Sequence, residues 1–248
     1  MNELDSWSTV EVAGHHCDVF EPTSPRVPGR AVIYLHGRHL TSLTDNAAYT
    51  GLFEHHGLRV VAPRTGRSWW TDKICADFDP AISAERYVID RVLPWIAQHW
   101  DVQPPLVALL GTSMGGQGAL RLAFKHPRLF PIAVGVSPAI DYQIRYYEDE
   151  SLQQMYPNPE SIRQDTATLH VHPLNWPRNT WFACDPLDDR WHESAERLHM
   201  KLSALGIMHE YDGETSLGGH GWPYYNHMAP RAVGFVAERL EQEDRRRV

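Results

Sequence analysis

Gly111-Thr-Ser113-Met-Gly115 follows an apolar run at residues 106–110 and opens a segment with helical spacing from Gly116. A serine on a tight strand-to-helix bend is lifted clear of the sheet, and glycines two before and two after it let neighbouring backbone approach. The helix N-terminus behind it favours negative charge. This combination suits a nucleophile. A serine hydroxyl is weak at neutral pH, so it needs a base to take its proton and an acid to hold that base's tautomer. Among 15 histidines, His220 in Gly218-Gly-His-Gly-Trp222 occupies a glycine-rich loop expected between the last strand and the last helix. There a ring can swing over the carboxyl edge of the sheet. His209 falls inside an expected strand and His227 at the start of an expected helix.

The acid is expected in the loop after the preceding strand, where Cys184-Asp-Pro-Leu-Asp188-Asp189 offers three carboxylates. Asp188 is favoured, because four residues past the strand a turn can aim it at the histidine. Asp185 abuts the strand and Asp189 fits the N-cap or first turn of a helix, and both stay open as alternatives. An oxyanion formed on an attacked carbonyl needs N–H donors, for which the Met114 amide and, across Leu35-His36-Gly37-Arg38, the Arg38 amide are the candidates. His36 reads as a structural hydrogen-bonding residue beneath that loop, and His39 as a pocket residue. On the substrate side, Trp69 and Trp70 form either a stacking wall or core packing, Arg64 or Arg67 meets an anionic group, and Trp222, Tyr224 and Tyr225 narrow the acyl site. Small or aromatic acyl groups are favoured over long lipids.

These residues need a scaffold of alternating elements. Residues 9–20 alternate around Gly14 as an antiparallel hairpin with Cys17 and Val19 on one face, followed by a Pro-rich turn at residues 23–29. Short apolar runs at residues 31–35, 58–62, 106–110 and 132–136 suit strands buried on both faces. Helical patterns at residues 46–56, 82–100 and 116–126 lie between them, and a strand at 180–184, a helix at 193–205, a strand at 207–211 and a helix at 230–243 continue the series. The expected class is α/β: a mostly parallel central sheet with helices on both faces and an N-terminal antiparallel hairpin. One domain over residues 1–248 is expected, with residues 141–178, which lack any strand pattern, as a small lid-like insertion. Residues 245–247, all arginine, read as a solvated, frayed end.

The 248 residues are 42% hydrophobic and 22% charged, enough for a sizeable core, and the net charge of −8 argues against a nucleic-acid partner. Cys17, Cys75 and Cys184 form no disulfide or zinc-knuckle pattern and read as reduced core thiols. No H-E-x-x-H and no phosphate-cradling glycine motif occurs, so neither a metal nor a nucleotide cofactor is expected. Residues 1–10 lack a basic run and an apolar stretch, and no membrane-length apolar segment occurs. Neither a signal peptide nor a membrane span is expected, and a cytoplasmic location follows by default.

Taken together, His36-Gly37, Gly111-Thr-Ser-Met-Gly-Gly116, Asp188 and Gly219-His220 with Trp222 resemble the α/β-hydrolase superfamily, in particular its esterase branch related to esterase D and S-formylglutathione hydrolase. The resemblance extends over residues 31–240. It implies a cofactor-free carboxylesterase for a small-molecule ester, acting through an acyl-enzyme on Ser113 with His220 and Asp188. The chain departs from the pattern in its bulky Arg38 and its crowded acid loop. A thioesterase or acyltransferase with the same triad, and a non-catalytic ligand-binding member of the fold, are the rival readings.

Overall fold

The computed structural model describes residues 7–23 and 29–246. Most of the Pro-rich turn expected at residues 23–29, the first six residues and residue 247 of the arginine run lie outside the described residues. The chain opens with the hairpin β1 (Trp7–Val12) and β2 (His15–Phe20), then β3 (Ala31–Leu35), α1 (Ala47–His56) and β4 (Arg59–Pro63). Next come α2 (Ala84–Tyr87), α3 (Leu93–Trp100), β5 (Val107–Thr112), α4 (Met114–Lys125) and β6 (Ile132–Val136). Residues 141–178 carry a 3₁₀ turn (Tyr142–Glu148) and three short helices, α5 (Glu150–Met155), α6 (Pro159–Arg163) and α7 (Ala167–His170). The chain closes with β7 (Asn179–Ala183), α8 (His192–Ala204), β8 (Glu210–Asp212) and α9 (Trp222–Arg245).

The strands form one 8-stranded sheet in the order β1-β2-β4-β3-β5-β6-β7-β8. The hairpin joins it antiparallel through β2 and β4, and every pairing from β4 onward is parallel. Strand alternation sorts the core into two layers. Val32, Tyr34, Ala108 and Leu110 pack against α1 and α9, whereas Ile33, Leu35, Val107 and Leu109 pack against α2 to α4 and α8. Burial on both faces accounts for the continuous apolar runs of β3, β5 and β6.

Three expectations are corrected. The 82–100 segment is interrupted by a π-helical turn, Val88–Val92, in which the Leu93 N–H reaches back to the Val88 carbonyl. Pro94, with no N–H to give, stands just beyond that turn, a frequent setting for such irregularity. The last helix begins at Trp222, not Pro230: Pro223 occupies the first turn, where a missing N–H costs nothing, and Pro230 is accommodated inside. His227 is therefore within the helix. The last strand is only Glu210–Asp212, and His209 lies just before it. Arg245 at the end of α9 and Arg246 after it are exposed, with surface ion pairs to Glu241 and Glu243.

Cys17, Cys75 and Cys184 are buried free thiols. Among the described residues no helix is long and apolar enough to cross a membrane.

Candidate active site

Ser113 links β5 to α4 with φ 54° and ψ −117°. Such a conformation is costly for a residue with a side chain, and surrounding structure holds it. The Ser113 N–H donates to the Val136 carbonyl at 2.9 Å, and the Ser113 carbonyl accepts from Ala139 N–H at 3.0 Å and Gln117 N–H at 3.1 Å. The flanking glycines are required by space. A Cβ on Gly111 would lie 2.1 Å from the Gly115 carbonyl oxygen, and one on Gly115 would lie 1.8 Å from the Leu35 carbonyl oxygen. The bend is thus wedged between its own helix and the end of β3.

His220 arrives on the loop between β8 and α9. Its Nε2 is 2.9 Å from the Ser113 Oγ, across a sequence separation of 107 residues, and its Nδ1 is 2.6 Å from Asp188 Oδ2. With the Nδ1–H donated to the carboxylate, Nε2 is free to accept the serine proton. Asp188 is held in turn: its Oδ1 accepts the Trp191 N–H at 3.1 Å, and Cys184 Sγ lies 3.6 Å from Oδ2. The Asp188 side chain is fully buried, whereas His220 is 31% exposed, so the relay runs from protein interior to pocket surface.

The neighbouring acids do other things. Asp185 accepts N–H bonds from Leu187 (2.8 Å), Leu217 (2.6 Å) and Gly219 (2.8 Å), and the Ser216 hydroxyl at 2.8 Å. Burial alone would raise its pKa, but these donors outweigh burial and hold it below the ordinary value. Asp185 thereby pins the loop that carries His220. Asp189, expected at the head of a helix, lies in the turn before α8, whose N-cap is Trp191.

Met114 is the first residue of α4, so its N–H has no carbonyl four residues back within the helix. The turn containing Gly37 and Arg38 packs directly on the serine: a Cβ on Gly37 would be 3.5 Å from the Ser113 Cβ. His36 lies beneath as expected. Its Nε2 accepts the Thr65 N–H at 3.1 Å, which leaves Nδ1–H to donate to the Gly37 carbonyl at 2.9 Å. Burial pushes the His36 pKa down to about 4, so the ring stays neutral.

These groups open onto a cavity of about 260 Å³. His39, Trp69 and Trp222 line it as expected, joined by Trp191, Tyr225, Arg145 and Arg190. Tyr225 meets the His220 ring edge-on at 5.4 Å.

Trp70 does not line this cavity. Its indole N–H donates to the His36 carbonyl at 3.1 Å and its ring covers Gly118. The backbone has positive φ at both tryptophans, 52° at Trp69 and 56° at Trp70. Trp69 instead stacks on Tyr142, with ring centroids 5.0 Å apart. Tyr224 is likewise buried in the α9 layer. Arg64 is committed to Asp18 at 2.6 Å, and Arg67 lies away from the cavity. Arg145, on the 3₁₀ turn, and Arg190, before α8, were missed by sequence reasoning because no local pattern marks a side chain brought in from a distant loop. Among the described residues no group of three or more His, Cys, Asp and Glu is placed to hold a metal ion.

A parallel sheet with an antiparallel hairpin, a strained serine bend after β5 and a histidine loop after the last strand define the α/β-hydrolase fold. Solved structures agree: an S-formylglutathione hydrolase from Agrobacterium tumefaciens superposes with a TM-score of 0.77 at 17% identity, over 94% of each chain. FrmB, an S-formylglutathione hydrolase from Staphylococcus aureus, gives 0.74 at 16% identity, over 93% of this chain and 99% of that one. The family model described as "Putative esterase" matches residues 16–235. The chain belongs to that esterase family. Chlorophyllase-1 of Citrus unshiu is 28% identical over 110 residues, which is 43% of this chain and 32% of the relative, so the match spans about a third of that protein's length.

Proposed function

We propose that the protein is a carboxylic ester hydrolase with Ser113 as nucleophile, His220 as general base and acid, and Asp188 as the carboxylate that orients the imidazole. The observation that carries this reading is the unbroken path Ser113 Oγ, His220 Nε2, His220 Nδ1, Asp188 Oδ2, with separations of 2.9 and 2.6 Å at its two hydrogen bonds.

As Oγ attacks the ester carbonyl, its proton passes to Nε2 and the carbonyl electron pair moves onto oxygen. The Met114 and Arg38 amides hold that oxyanion, a contribution of about 10²- to 10³-fold in rate per donor in comparable sites. Collapse expels the alcohol, which takes the proton from the imidazolium and leaves an acyl group on Ser113. Water then gives a proton to Nε2 and attacks the acyl carbon, and the serine departs with the proton as the carboxylic acid forms. Asp188 remains ionised throughout and stabilises the transient imidazolium.

The cavity of about 260 Å³ is smaller than the 300–1,000 Å³ common for drug-sized ligands. Together with the Trp69, Trp191, Trp222 and Tyr225 walls, this favours small or aromatic acyl esters. Residues 141–178 act as a lid-like insertion of a single domain, with the Tyr142 ring stacked behind Trp69 and Arg145 on the pocket wall.

Incubation with short-chain aryl esters, quenching during turnover and peptide mass analysis tests the proposal. An acyl group on Ser113 and loss of turnover in Ser113→Ala are expected. Full turnover by Ser113→Ala would refute it. Thiol esters and added alcohol acceptors in the same assay separate hydrolysis from thioester cleavage and acyl transfer.

A further inference from the structure

The chain carries a net charge of −8, yet no Asp or Glu is among the residues lining the cavity at Ser113, while Arg38, Arg145 and Arg190 are. These three arginines are not equivalent. Arg38 Nε donates at 2.6 Å to Asp149, a carboxylate 1% exposed, so its charge is matched by a buried partner. Arg145 and Arg190 share a single carboxylate: Glu148 Oε2 lies 2.9 Å from Arg145 Nη1 and 3.5 Å from Arg190 Nη1. That carboxylate is 57% exposed, so its pairing is screened by water, and Arg190 also lines a neighbouring depression with Asp141, Asp189, Glu193 and Arg197. The Arg145 Nε is buried with no hydrogen-bond partner. That unpartnered N–H is costly.

Resting on the hydrolase reading above, we propose that this site selects esters bearing a carboxylate, which Arg145 and Arg190 receive while Ser113 attacks the ester carbonyl. A guanidinium presents a planar fork of N–H donors that matches a carboxylate, and the half-enclosed, aromatic cavity strengthens the pairing relative to water. Glu148 ion-pairs with both arginines, and a substrate carboxylate in the cavity gives them an acceptor there. The remainder of the cavity, walled by Trp69, Trp191 and Trp222, takes the uncharged part of the ester.

Two matched pairs of esters test this: ethyl butyrate against monoethyl succinate places the carboxylate on the acyl side, and phenyl acetate against 4-carboxyphenyl acetate places it on the leaving group. The proposal expects kcat/KM for the charged member of at least one pair to exceed its neutral partner by about tenfold, the scale of one charge-assisted hydrogen bond. That ratio should fall toward one in Arg145→Gln and Arg190→Gln, and should shrink as salt is raised. Labelling of Ser113 by a fluorophosphonate, run in parallel on each variant, verifies that the nucleophile is intact. Turnover of the neutral esters with no charged preference in either pair overturns this inference alone. A preference that survives in the Arg145→Gln, Arg190→Gln double variant also overturns it. Absence of both turnover and Ser113 labelling overturns the hydrolase reading and this inference together.

Discussion

Asp185 accepts the backbone N–H of Gly219 at 2.8 Å, one residue before the imidazole that Asp188 holds through its side chain. Two acids three positions apart thus divide the work: one fixes the loop, the other the ring. Asp188→Asn should lower kcat on the order of 10³- to 10⁴-fold, because an amide no longer holds the imidazole in the tautomer that accepts from serine. Asp185→Asn should instead turn an NH₂ toward backbone donors and lower stability by about 1–3 kcal/mol. Steady-state kinetics with urea unfolding on both variants checks the division. An Asp188→Asn enzyme within tenfold of wild type would contradict it.

His36 gives the fold an acid-sensitive point. Burial pushes its pKa down to about 4, against about 6.5 in an unfolded chain. Below pH 6.5 the unfolded chain takes up a proton that the folded state refuses, so stability falls as pH drops from about 6.5 to 4, by about 3 kcal/mol in total. Glu85 acts in a lower window. Burial alone would raise its pKa, but His126, Arg121 and Lys125 hold it down to about 2, so its contribution is lost only as pH falls from about 4.5 toward 2. Unfolding free energies measured between pH 4 and 7 should show a slope that His36→Gln flattens. Equal slopes would remove His36 from the account.

Glycine positions differ by what surrounds them. Gly115→Ala would place a Cβ 1.8 Å from the Leu35 carbonyl oxygen, so misfolding, or a loss of about 3 kcal/mol or more with activity abolished, is expected. Gly234 lies inside α9, and a Cβ there would meet nothing within 4 Å. Gly234→Ala should raise stability by about 0.5–1 kcal/mol from helix propensity. Thermal unfolding of the pair checks both signs.

Arg121 on α4 is 1% exposed and lies between Glu85, at 2.5 Å, and Asp165 of the 141–178 segment, whose carbonyl accepts the Arg121 Nε–H at 2.9 Å. Arg121→Met would remove the cation shared by two largely buried carboxylates, leaving Glu85 to Lys125 and His126 and Asp165 to His170 and Tyr156. A loss of about 3–5 kcal/mol is expected in denaturant unfolding, whereas a change under 1 kcal/mol would show that the network is hydrated in solution.

The parts legible in sequence were those written in local pattern. Gly111 and Gly115 mark the bend because a Cβ at either would clash with backbone, Ser113 stands between them, and His220 follows from the chain order and its glycine loop. Boundaries shifted where one residue admits two readings: Pro230 fits a helix start as well as a tolerated interior site, and only packing against α1 and β6 distinguishes them. Trp69 and Trp70 are adjacent in sequence, yet one ring faces the cavity and the other the core. Arg145 and Arg190 meet through Glu148, a relationship between two loops that leaves no periodic trace.

Fluorophosphonate labelling, read by peptide mass spectrometry, is the most direct test of the Ser113–His220 pair. A single adduct on Ser113 is predicted, absent from Ser113→Ala and formed about 10²-fold or more slowly in His220→Ala. An adduct on another residue, or labelling of Ser113 at an undiminished rate without His220, would contradict the assignment of nucleophile and base.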